Sequence, residues 1–355
     1  MGTSIEWTDA TWNPVTGCSK VSPGCAHCYA ETIAMRFWPT QYPPVQCATD
    51  DPRVAVRDAK RIELLGSTGV PGLRFREFTD VQCHEDRLDQ PLRWKKPRKV
   101  FVNSMSDLFH EDVPDAFIDR VFAVMALATQ HTFQILTKRA ERMRDYASDT
   151  SHHGMGMGED VCTRVARALS TMGHEMTPAS IRQRWPLSNV WLGVSVENQH
   201  FADERIPLLL QTPAAVRFIS AEPLLGPVDL HSPVLEADSD GYLDWVIVGG
   251  ESGAGARPFA VAWARSIVAQ CQAAGVPVFV KQLGADVRDR NDAGFDGCSP
   301  TSWPESIEER DAIEYELSGY REDWQGAEVR VHLRDRKGGD MAEWPSDLQV
   351  REFPR

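Results

Sequence analysis

Three cysteines within eleven residues carry the strongest chemical signal in the sequence. Cys18, Cys25 and Cys28 have the spacing C-x6-C-x2-C, and a Pro-Gly turn between the first two can bring Cys18 back to the others. Three thiolates can bind a [4Fe–4S] cluster and leave one iron without a protein ligand, open to a substrate or a cofactor. The spacing therefore predicts an iron–sulfur centre on these three residues.

Zinc is the main alternative to a cluster at this loop. A zinc site needs a fourth ligand, and the candidates are His27, Cys47 and His84. Three unrelated buried thiols are a second alternative. The 8 cysteines in 355 residues are too sparse for a disulfide framework, and the N-terminus lacks the basic start and apolar stretch of a signal peptide. We therefore expect a reducing, cytoplasmic setting, in which crowded cysteines favour metal binding.

Six apolar runs, each followed directly by polar residues, predict the elements that position this centre. The runs cover residues 100–102, 133–136, 190–194, 216–219, 245–248 and 276–280. Near-continuous apolar runs of this length are typical of strands buried on both faces of a parallel sheet. Helical patterns fill the intervening sequence, over residues 114–128, 159–172, 199–211 and 258–274.

The alternation of strands and helices predicts an α/β fold with right-handed crossovers. With a weaker strand at residues 11–16, the expected architecture is a partial or complete parallel β/α barrel, and a doubly wound open sheet is the alternative. Residues 1–284 would hold the cysteine loop and the barrel, with an irregular insertion over 40–98. Residues 285–355 would form an acidic appendage that packs on the barrel through Trp303, Trp324, Trp344 and Phe353.

Polar residues at the strand ends form a second candidate site, because the C-terminal strand ends of a parallel barrel face one side. The candidates for binding a ligand there are Ser104, Asp107, Lys138, Ser195, Glu197, Asn198, Ser220, Glu222, Glu251, Lys281 and Gln282. Charges above a dry barrel are costly when isolated, so we expect the lysines and glutamates of this set to form opposite-sign pairs or to contact a polar ligand. An internal ion-pair network that closes the barrel end is the alternative.

A glycine-rich loop and two basic clusters are weaker candidates for binding. Gly249, Gly250 and Glu251 begin a loop between a strand and a helix that permits close approach of a ligand, including an anion, although a tight turn at the rim explains it equally. Basic residues occur over 87–99, together with Trp94, and again at Lys138, Arg139, Arg142 and Arg144. Such clusters can hold phosphates and stack a base, and the alternative is a solvated surface.

Composition limits the classes of partner. Of the 355 residues, 42% are hydrophobic and 25% charged, as in ordinary globular proteins. The net charge of −13 opposes non-specific coating of DNA, which needs a basic face, although the acidity is concentrated in residues 285–355. Because no run of 18 apolar residues occurs, we expect neither a transmembrane helix nor a membrane partner.

Several motifs along the chain resemble the phage and bacterial three-cysteine-motif family, which includes the phage gp thirty-seven / gp sixty-eight proteins. The first is the block from Ile5-Glu6-Trp7 to Cys18, continuing through Cys25-Ala26-His27-Cys28-Tyr29. The others lie at residues 101–110, 136–139, 191–198, 220–227, 245–253, 280–284 and 343–354. The resemblance extends over most of the chain.

This family in turn resembles the radical S-adenosylmethionine (SAM) enzymes, which also place a three-cysteine loop ahead of a parallel β/α barrel. The resemblance implies a [4Fe–4S] cluster whose open iron chelates SAM, an electron donor, and a 5′-deoxyadenosyl radical that modifies a substrate. Tyr29, Gly249, Gly250 and the strand-end residues would contact the cofactor. The usual radical-SAM spacing is C-x3-C-x2-C, so this loop is three residues longer, and Gly249-Gly250-Glu251 follows a late strand rather than the second.

The basic clusters and the phage association favour a nucleotide or nucleic acid as the substrate. An alternative function is a non-catalytic protein, stabilised by zinc or by a cluster, that binds nucleic acid or a protein partner. Zinc without SAM affinity would favour this alternative, and a brown protein would favour the enzyme.

Overall fold

The computed structural model describes residues 3, 5–41, 45–46, 73–74, 76–148, 159–230, 241–289 and 329–354. The strands in this part of the chain are β1 (Ala10–Trp12), β2 (Val15–Thr16), β3 (Val45–Gln46), β4 (Leu73–Arg74), β5 (Gln82–Cys83), β6 (Lys99–Val102), β7 (Thr132–Thr137), β8 (Val190–Ser195), β9 (Val216–Ala221), β10 (Trp245–Gly249), β11 (Phe259–Ala260), β12 (Val278–Gln282), β13 (Val287–Asp289) and β14 (Val329–Val331).

The α-helices are α1 (Tyr29–Gln41), α2 (Asp115–Leu127), α3 (Ala140–Ser148), α4 (Val161–Thr171), α5 (Pro178–Arg182), α6 (Gln199–Leu210) and α7 (Val261–Ala274). Short 3₁₀ turns lie at Pro23–Cys25, Glu85–Arg87, Gln90–Arg93, Met341–Glu343 and Ser346–Leu348. Helices α2, α4, α6 and α7 confirm the four helices predicted from the sequence. No helix in these described ranges is both long and apolar enough to cross a bilayer.

Seven strands form one all-parallel sheet that curls into a half-barrel, in the order β1-β6-β7-β8-β9-β10-β12. Each strand is added beside the previous one, without the reversal of strand order that defines a doubly wound sheet. The prediction of a partial parallel β/α barrel is therefore confirmed at this level, and the doubly wound alternative is wrong. The weak strand predicted at residues 11–16 is split at Pro14: β1 joins the barrel, whereas β2 pairs antiparallel with β5.

The face of the sheet opposite the helices carries a cluster of mainly aromatic side chains. Its buried members are five aromatic residues and one isoleucine: Trp7, Phe101, Phe218, Trp245, Phe279 and Ile247. Phe353, from the C-terminal tail, packs against Trp245 and Phe279 with ring centroids 5.3 Å apart in each case. The burial of this aromatic area excludes water from the inside of the half-barrel.

The C-terminal tail also covers the open edge of the sheet at β12. Val280 donates its N–H to the carbonyl of Val350 at 2.9 Å, and Glu352 donates to Val278 at 3.0 Å. An edge strand with unpaired backbone groups is a site for unwanted pairing, and this contact removes it. Phe353 packs in the aromatic cluster and Trp344 is buried in the main hydrophobic core, whereas Trp303 and Trp324 lie outside the described residues.

Helix α1, directly after the cysteines, was not predicted from the sequence. Ala30, Ala34 and Trp38 recur at intervals of four residues and pack against Phe78. Two of these three residues are alanines, so the apolar stripe is narrow and gives a weak helical pattern. Within the predicted irregular insertion over 40–98, the described residues from 76 onward contain β5, two 3₁₀ turns and irregular backbone.

Gly193 in β8 is expected to be intolerant of any side chain. A Cβ atom at this position would lie 2.6 Å from the ring of Phe218 on the neighbouring strand. We predict that Gly193→Ala lowers the free energy of unfolding by about 1–3 kcal/mol, measured by chemical denaturation. Combining Gly193→Ala with Phe218→Leu should recover part of the loss, and equal stability of Gly193→Ala and the wild type would contradict this packing.

Candidate functional site

The cysteine loop lies against the C-terminal edge of the half-barrel. Gly17 donates its N–H to Met105 at 3.0 Å, and Cys18 donates to Phe78 at 2.8 Å. Gly17 has a φ of +95°, and a Cβ atom there would lie 2.6 Å from the carbonyl oxygen of Asp80, so only glycine fits. Cys18 is thereby held beside the segment that follows β6.

The three cysteine thiols lie close enough to influence one another. Burial, followed by the neighbouring carboxylate of Asp107, raises the pKa of Cys18 to about 12, and the Cys25 thiol adds to this effect. Burial also raises the pKa of Cys28, and Cys25 contributes again. In the part of the chain that the structure describes, no group of three or more His, Cys, Asp or Glu side chains is arranged to hold a metal ion. The thiols thus gather at one place without a preformed ligand geometry.

Each thiol has a hydrogen-bonding partner of a different kind. The Arg139 guanidinium lies 3.6 Å from Cys18 Sγ, and the Ser22 hydroxyl lies 3.7 Å from Cys25 Sγ. Backbone N–H groups at the start of α1 bond to Cys28 and counteract part of the rise in its pKa. Donors of this type stabilise a thiolate or a metal-bound sulfur. The donor set therefore fits an iron–sulfur cluster in its chemistry.

Glu197, just after β8, anchors the loop to the barrel. The side chain is 0% exposed, and its carboxylate binds Lys138 Nζ at 2.8 Å and Arg205 Nη1 at 2.9 Å. Ser22 donates its hydroxyl to the same carboxylate at 2.5 Å. A Cβ atom on Gly24 would lie only 2.4 Å from Glu197 Oε1. The loop backbone therefore rests directly on a buried charge.

The charge of Glu197 is maintained by its two cationic partners. Burial acts to raise the pKa of this carboxyl group, but attraction to Lys138 and Arg205 outweighs it, and the pKa is lowered. The hydrogen bond from Ser22 and the close approach of Gly24 give Glu197, predicted as a cofactor contact, a role in holding the cysteine loop.

Glu251 provides a second anchor for the loop. Its carboxylate accepts hydrogen bonds from the backbone N–H of Arg257 at 3.0 Å and from the Arg257 guanidinium at 2.7 Å, and it lies 3.0 Å from His27 Nδ1. Arg257 also donates to the Pro23 carbonyl at 2.9 Å. The backbone N–H and the guanidinium of Arg257, both of which could bind an anion, are thus engaged by the protein's own carboxylate.

The two glycines before Glu251 are required by close packing. A Cβ atom on Gly250 would lie 2.2 Å from the Leu283 carbonyl oxygen, and the amide of Gln282 donates to the Gly250 carbonyl at 2.9 Å. A Cβ atom on Gly249 would lie 3.3 Å from Glu222 Cδ. The structure favours the prediction of a tight turn at the rim over that of a phosphate-binding loop.

Glu222 and Lys281 form a third ionic contact, across β10. They follow β9 and end β12 respectively, and their side chains meet over Gly249 with a distance of 2.5 Å between Oε1 and Nζ. The two side chains are 19% and 16% exposed, unlike the enclosed Glu197. The expectation that the strand-end lysines and glutamates form opposite-sign pairs is confirmed for Lys138 and Lys281.

Tyr29 links the cysteine loop to this exposed pair. Its hydroxyl donates to the Ser104 carbonyl at 2.6 Å. The side chain is 52% exposed. Desolvation, and then the charges of Cys28 and Glu222, raise its pKa above the usual 10. The phenol is therefore neutral, and its oxygen can accept a hydrogen bond.

The other predicted ligand-binding residues hold the strand ends together. Asp107 is buried and accepts hydrogen bonds from the Thr137 hydroxyl at 2.7 Å and from Arg139 at 3.2 Å. Asn198 caps α6 by accepting from the backbone N–H of Phe201. Buried Ser195 accepts a hydrogen bond from Arg205 through its backbone carbonyl, and Ser220 accepts one from Val196 in the same way.

The basic clusters are engaged with the protein itself. After β7, the four basic residues each have an acidic partner: Lys138 pairs with Glu197, Arg139 with Asp107 and Glu111, Arg142 with Asp115, and Arg144 with Asp145. Trp94 carries the guanidinium of Arg98 on its ring at 5.2 Å. Because Trp94 precedes β6, it lies toward the opposite edge of the sheet from the cysteine loop.

Two of the three histidine or cysteine candidates for a fourth zinc ligand have other partners. His27 contacts Glu251, and His84 contacts the Thr16 hydroxyl at 2.7 Å. Burial, then the charges of Arg87 and Arg76, lower the pKa of His84 to about 4. Cys47 lies outside the described residues.

Sequence reasoning missed the roles of three residues in and around the cysteine loop. Ser22 lies inside the loop, and Arg139 directly follows Lys138 at a strand end, so position alone could have suggested both. Arg257 reaches Glu251 and the loop through a turn. No sequence pattern indicates that pairing.

Removal of the Glu197 charge should destabilise the whole site. We predict that Glu197→Gln lowers the free energy of unfolding by about 3 kcal/mol, because buried Arg205 and half-buried Lys138 would face a neutral amide in place of the carboxylate. The matched control is Glu204→Gln, whose side chain is 51% exposed and which should unfold like the wild type.

The same variant should alter the acid dependence of stability. The Glu197 pKa lies below its usual 4.5, so its contribution is complete above that pH and is lost as the pH falls through the lowered value. Denaturation between pH 7 and pH 2 should therefore show a smaller acid-induced loss in Glu197→Gln. Parallel curves for the two proteins would contradict a charged, buried Glu197.

Comparison with known proteins identifies the family. A family model described as "Protein of unknown function (DUF5131)" matches residues 2–326. No curated protein and no solved structure matches the chain at a comparable standard. Because the match extends from the residues before the cysteine loop into the acidic C-terminal region, the chain belongs to the DUF5131 family.

Proposed function

We propose that this protein binds a [4Fe–4S] cluster through Cys18, Cys25 and Cys28 and acts as a radical-SAM-type enzyme. The observation that carries the proposal is the gathering of three thiols, each with its own hydrogen-bonding partner, at the C-terminal edge of a parallel half-barrel. When bound, such a cluster with SAM at its open iron supplies the electron that cleaves SAM to methionine and a 5′-deoxyadenosyl radical.

The residues around the loop have separate tasks in this proposal. Glu197 and Glu251 fix the loop from two sides, through Ser22 and through His27 and Arg257. The aromatic cluster below excludes water from the inside of the half-barrel, which strengthens electrostatic contacts above it. Fixed ligands above a dry cavity are what chemistry with a reactive radical requires.

Glu222 and Lys281 are the proposed contacts for the amino acid part of SAM. Their mutual pair is partly exposed, so a ligand with an ammonium and a carboxylate can exchange partners with it, one charge for one charge. Tyr29 stands near Glu222 and Cys28 and offers a neutral hydroxyl beside them. The exchange leaves no charge unpaired, which limits the cost of desolvating the bound ligand.

The internal pairing of the basic residues favours a small molecule at the mouth. Lys138, Arg139, Arg142 and Arg144 are already neutralised by carboxylates, so little positive charge is left to displace counterions from a polyanion. Among the substrates considered, a nucleotide therefore fits this edge of the barrel better than a nucleic acid.

Anaerobic reconstitution with iron and sulfide tests the cluster. The wild type is expected to bind about four iron and four sulfide per chain, and alanine at Cys18, Cys25 or Cys28 should abolish this. Cys271→Ala is the matched control, because Cys271 is buried in α7 and should leave the iron content unchanged. Stoichiometric zinc with no iron would instead support the non-catalytic binding protein.

Calorimetry on cluster-loaded protein tests the cofactor contacts. Glu222→Gln and Lys281→Gln should each weaken SAM binding about tenfold or more, since a hydrogen bond to a charged group contributes about 1.5–3 kcal/mol. Lys337→Gln, at an exposed lysine of the C-terminal region, should bind SAM normally. If the first two variants bind SAM normally but melt much lower, the pair is structural and the cofactor lies elsewhere.

A further inference from the structure

Arg139 makes the one contact in which a charged side chain meets a cysteine sulfur in the described part of the loop. Its Nη1 lies 3.6 Å from Cys18 Sγ and 3.2 Å from Asp107 Oδ2. Its Nη2 donates to the Ser19 hydroxyl at 2.7 Å, and its Nε donates to Glu111 at 2.9 Å. The guanidinium is therefore held by three groups in a fixed orientation toward the sulfur.

The neighbours of Arg139 keep it in place and keep it charged. Asp107 is itself fixed by the Thr137 hydroxyl and by the backbone N–H of Lys138. The Arg139 side chain is only 11% exposed, so solvent screens its charge little. Burial acts to lower its pKa, but the charges of Asp107 and Cys18 outweigh this and raise it.

We propose that Arg139 sets the reduction potential of the centre held by Cys18, Cys25 and Cys28, through its cationic N–H donor on the Cys18 sulfur. The inference rests on the proposed iron–sulfur function. Reduction adds one electron and no atom, taking a [4Fe–4S]²⁺ centre to [4Fe–4S]⁺. The added negative charge is shared with the cysteine sulfurs, so a nearby cation stabilises the reduced form more than the oxidised form.

The three sulfurs are not equivalent in this respect. Cys25 contacts a neutral hydroxyl and Cys28 contacts backbone N–H groups, whereas Cys18 contacts a full positive charge. Hydrogen bonds in which the donor is ionised are roughly twice as strong as neutral ones. We therefore expect the contact at Cys18 to affect the reduction potential more than the contacts at Cys25 and Cys28 do.

Glu111 provides an independent control of the same charge. Its carboxylate pairs with Arg139 Nε but is 63% exposed, so its removal should leave the fold intact. Without Glu111, the positive charge of Arg139 is less compensated and should stabilise the reduced centre further. Loss of Arg139 and loss of Glu111 are thus expected to shift the potential in opposite directions.

Redox titration of the reconstituted full-length protein tests this assignment. The one-electron reductant is dithionite, and electron paramagnetic resonance and visible absorption follow the reduced centre. Arg139→Gln should shift the potential to more negative values, Arg139→Lys should shift it less, and Glu111→Gln should shift it to less negative values. Arg144→Gln, the same substitution at a nearby residue of α3 whose partner is Asp145, should match the wild type.

Iron content is measured first, because it separates a failure of the proposed function from a failure of the role of Arg139. A wild-type chain that binds no iron contradicts the proposed function and the role of Arg139 together. Iron-loaded variants whose potentials equal that of the wild type, or shift in the same direction for Arg139→Gln and Glu111→Gln, contradict the role of Arg139 alone. If Arg139→Gln does not assemble a centre, Arg139→Lys and Glu111→Gln still decide the question.

Discussion

A buried carboxylate with two cationic partners holds the candidate site in place. Glu197 has no exposed surface, so its charge would be strongly destabilising without Lys138 and Arg205. Those two residues come from different segments, after β7 and in α6, and Ser22 adds the cysteine loop as a third. Compensation of this one charge thus brings three elements into contact, and the position of the loop depends on that contact.

The strand order of the half-barrel brings the partners of such contacts close together. Because β6, β7 and β8 are consecutive neighbours, the residues after them are adjacent at one edge. Asp107 and Arg139 join the first two strands, and Lys138 and Glu197 join the next two. Toward the other end of the sheet, Glu222 and Lys281 pair across β10, because Gly249 has no side chain to fill the space above that strand. Neighbouring strand ends are therefore tied by charge as well as by backbone hydrogen bonds.

The sequence predicted the strands and the edge they share, but not the partners at that edge. Continuous apolar runs report burial on both faces, and parallel pairing follows from the helices between them. The pairing of charged residues depends on the curvature and register of the whole sheet. Neither can be predicted from a single segment of the sequence. Asp107 and Asn198 illustrate the limit: both are polar residues after strands, yet one orients Arg139 and the other caps a helix. Gly250 was expected in a loop, but a glycine is needed there because the Leu283 carbonyl, 33 positions later in the chain, approaches closely.

The same electrostatics explains why the three thiols need the surroundings they have. Burial favours the neutral thiol, so ligation of a metal must release protons against the desolvation that raises the pKa of Cys18 and Cys28. The Arg139 guanidinium, the Ser22 hydroxyl and the backbone N–H groups at the start of α1 each offset part of that cost at the sulfur they face. They differ in charge, and only the guanidinium is balanced by carboxylates, Asp107 within the protein and Glu111 at the surface. The loop therefore places three identical thiols in unequal environments, and the Arg139 guanidinium puts a full positive charge beside Cys18.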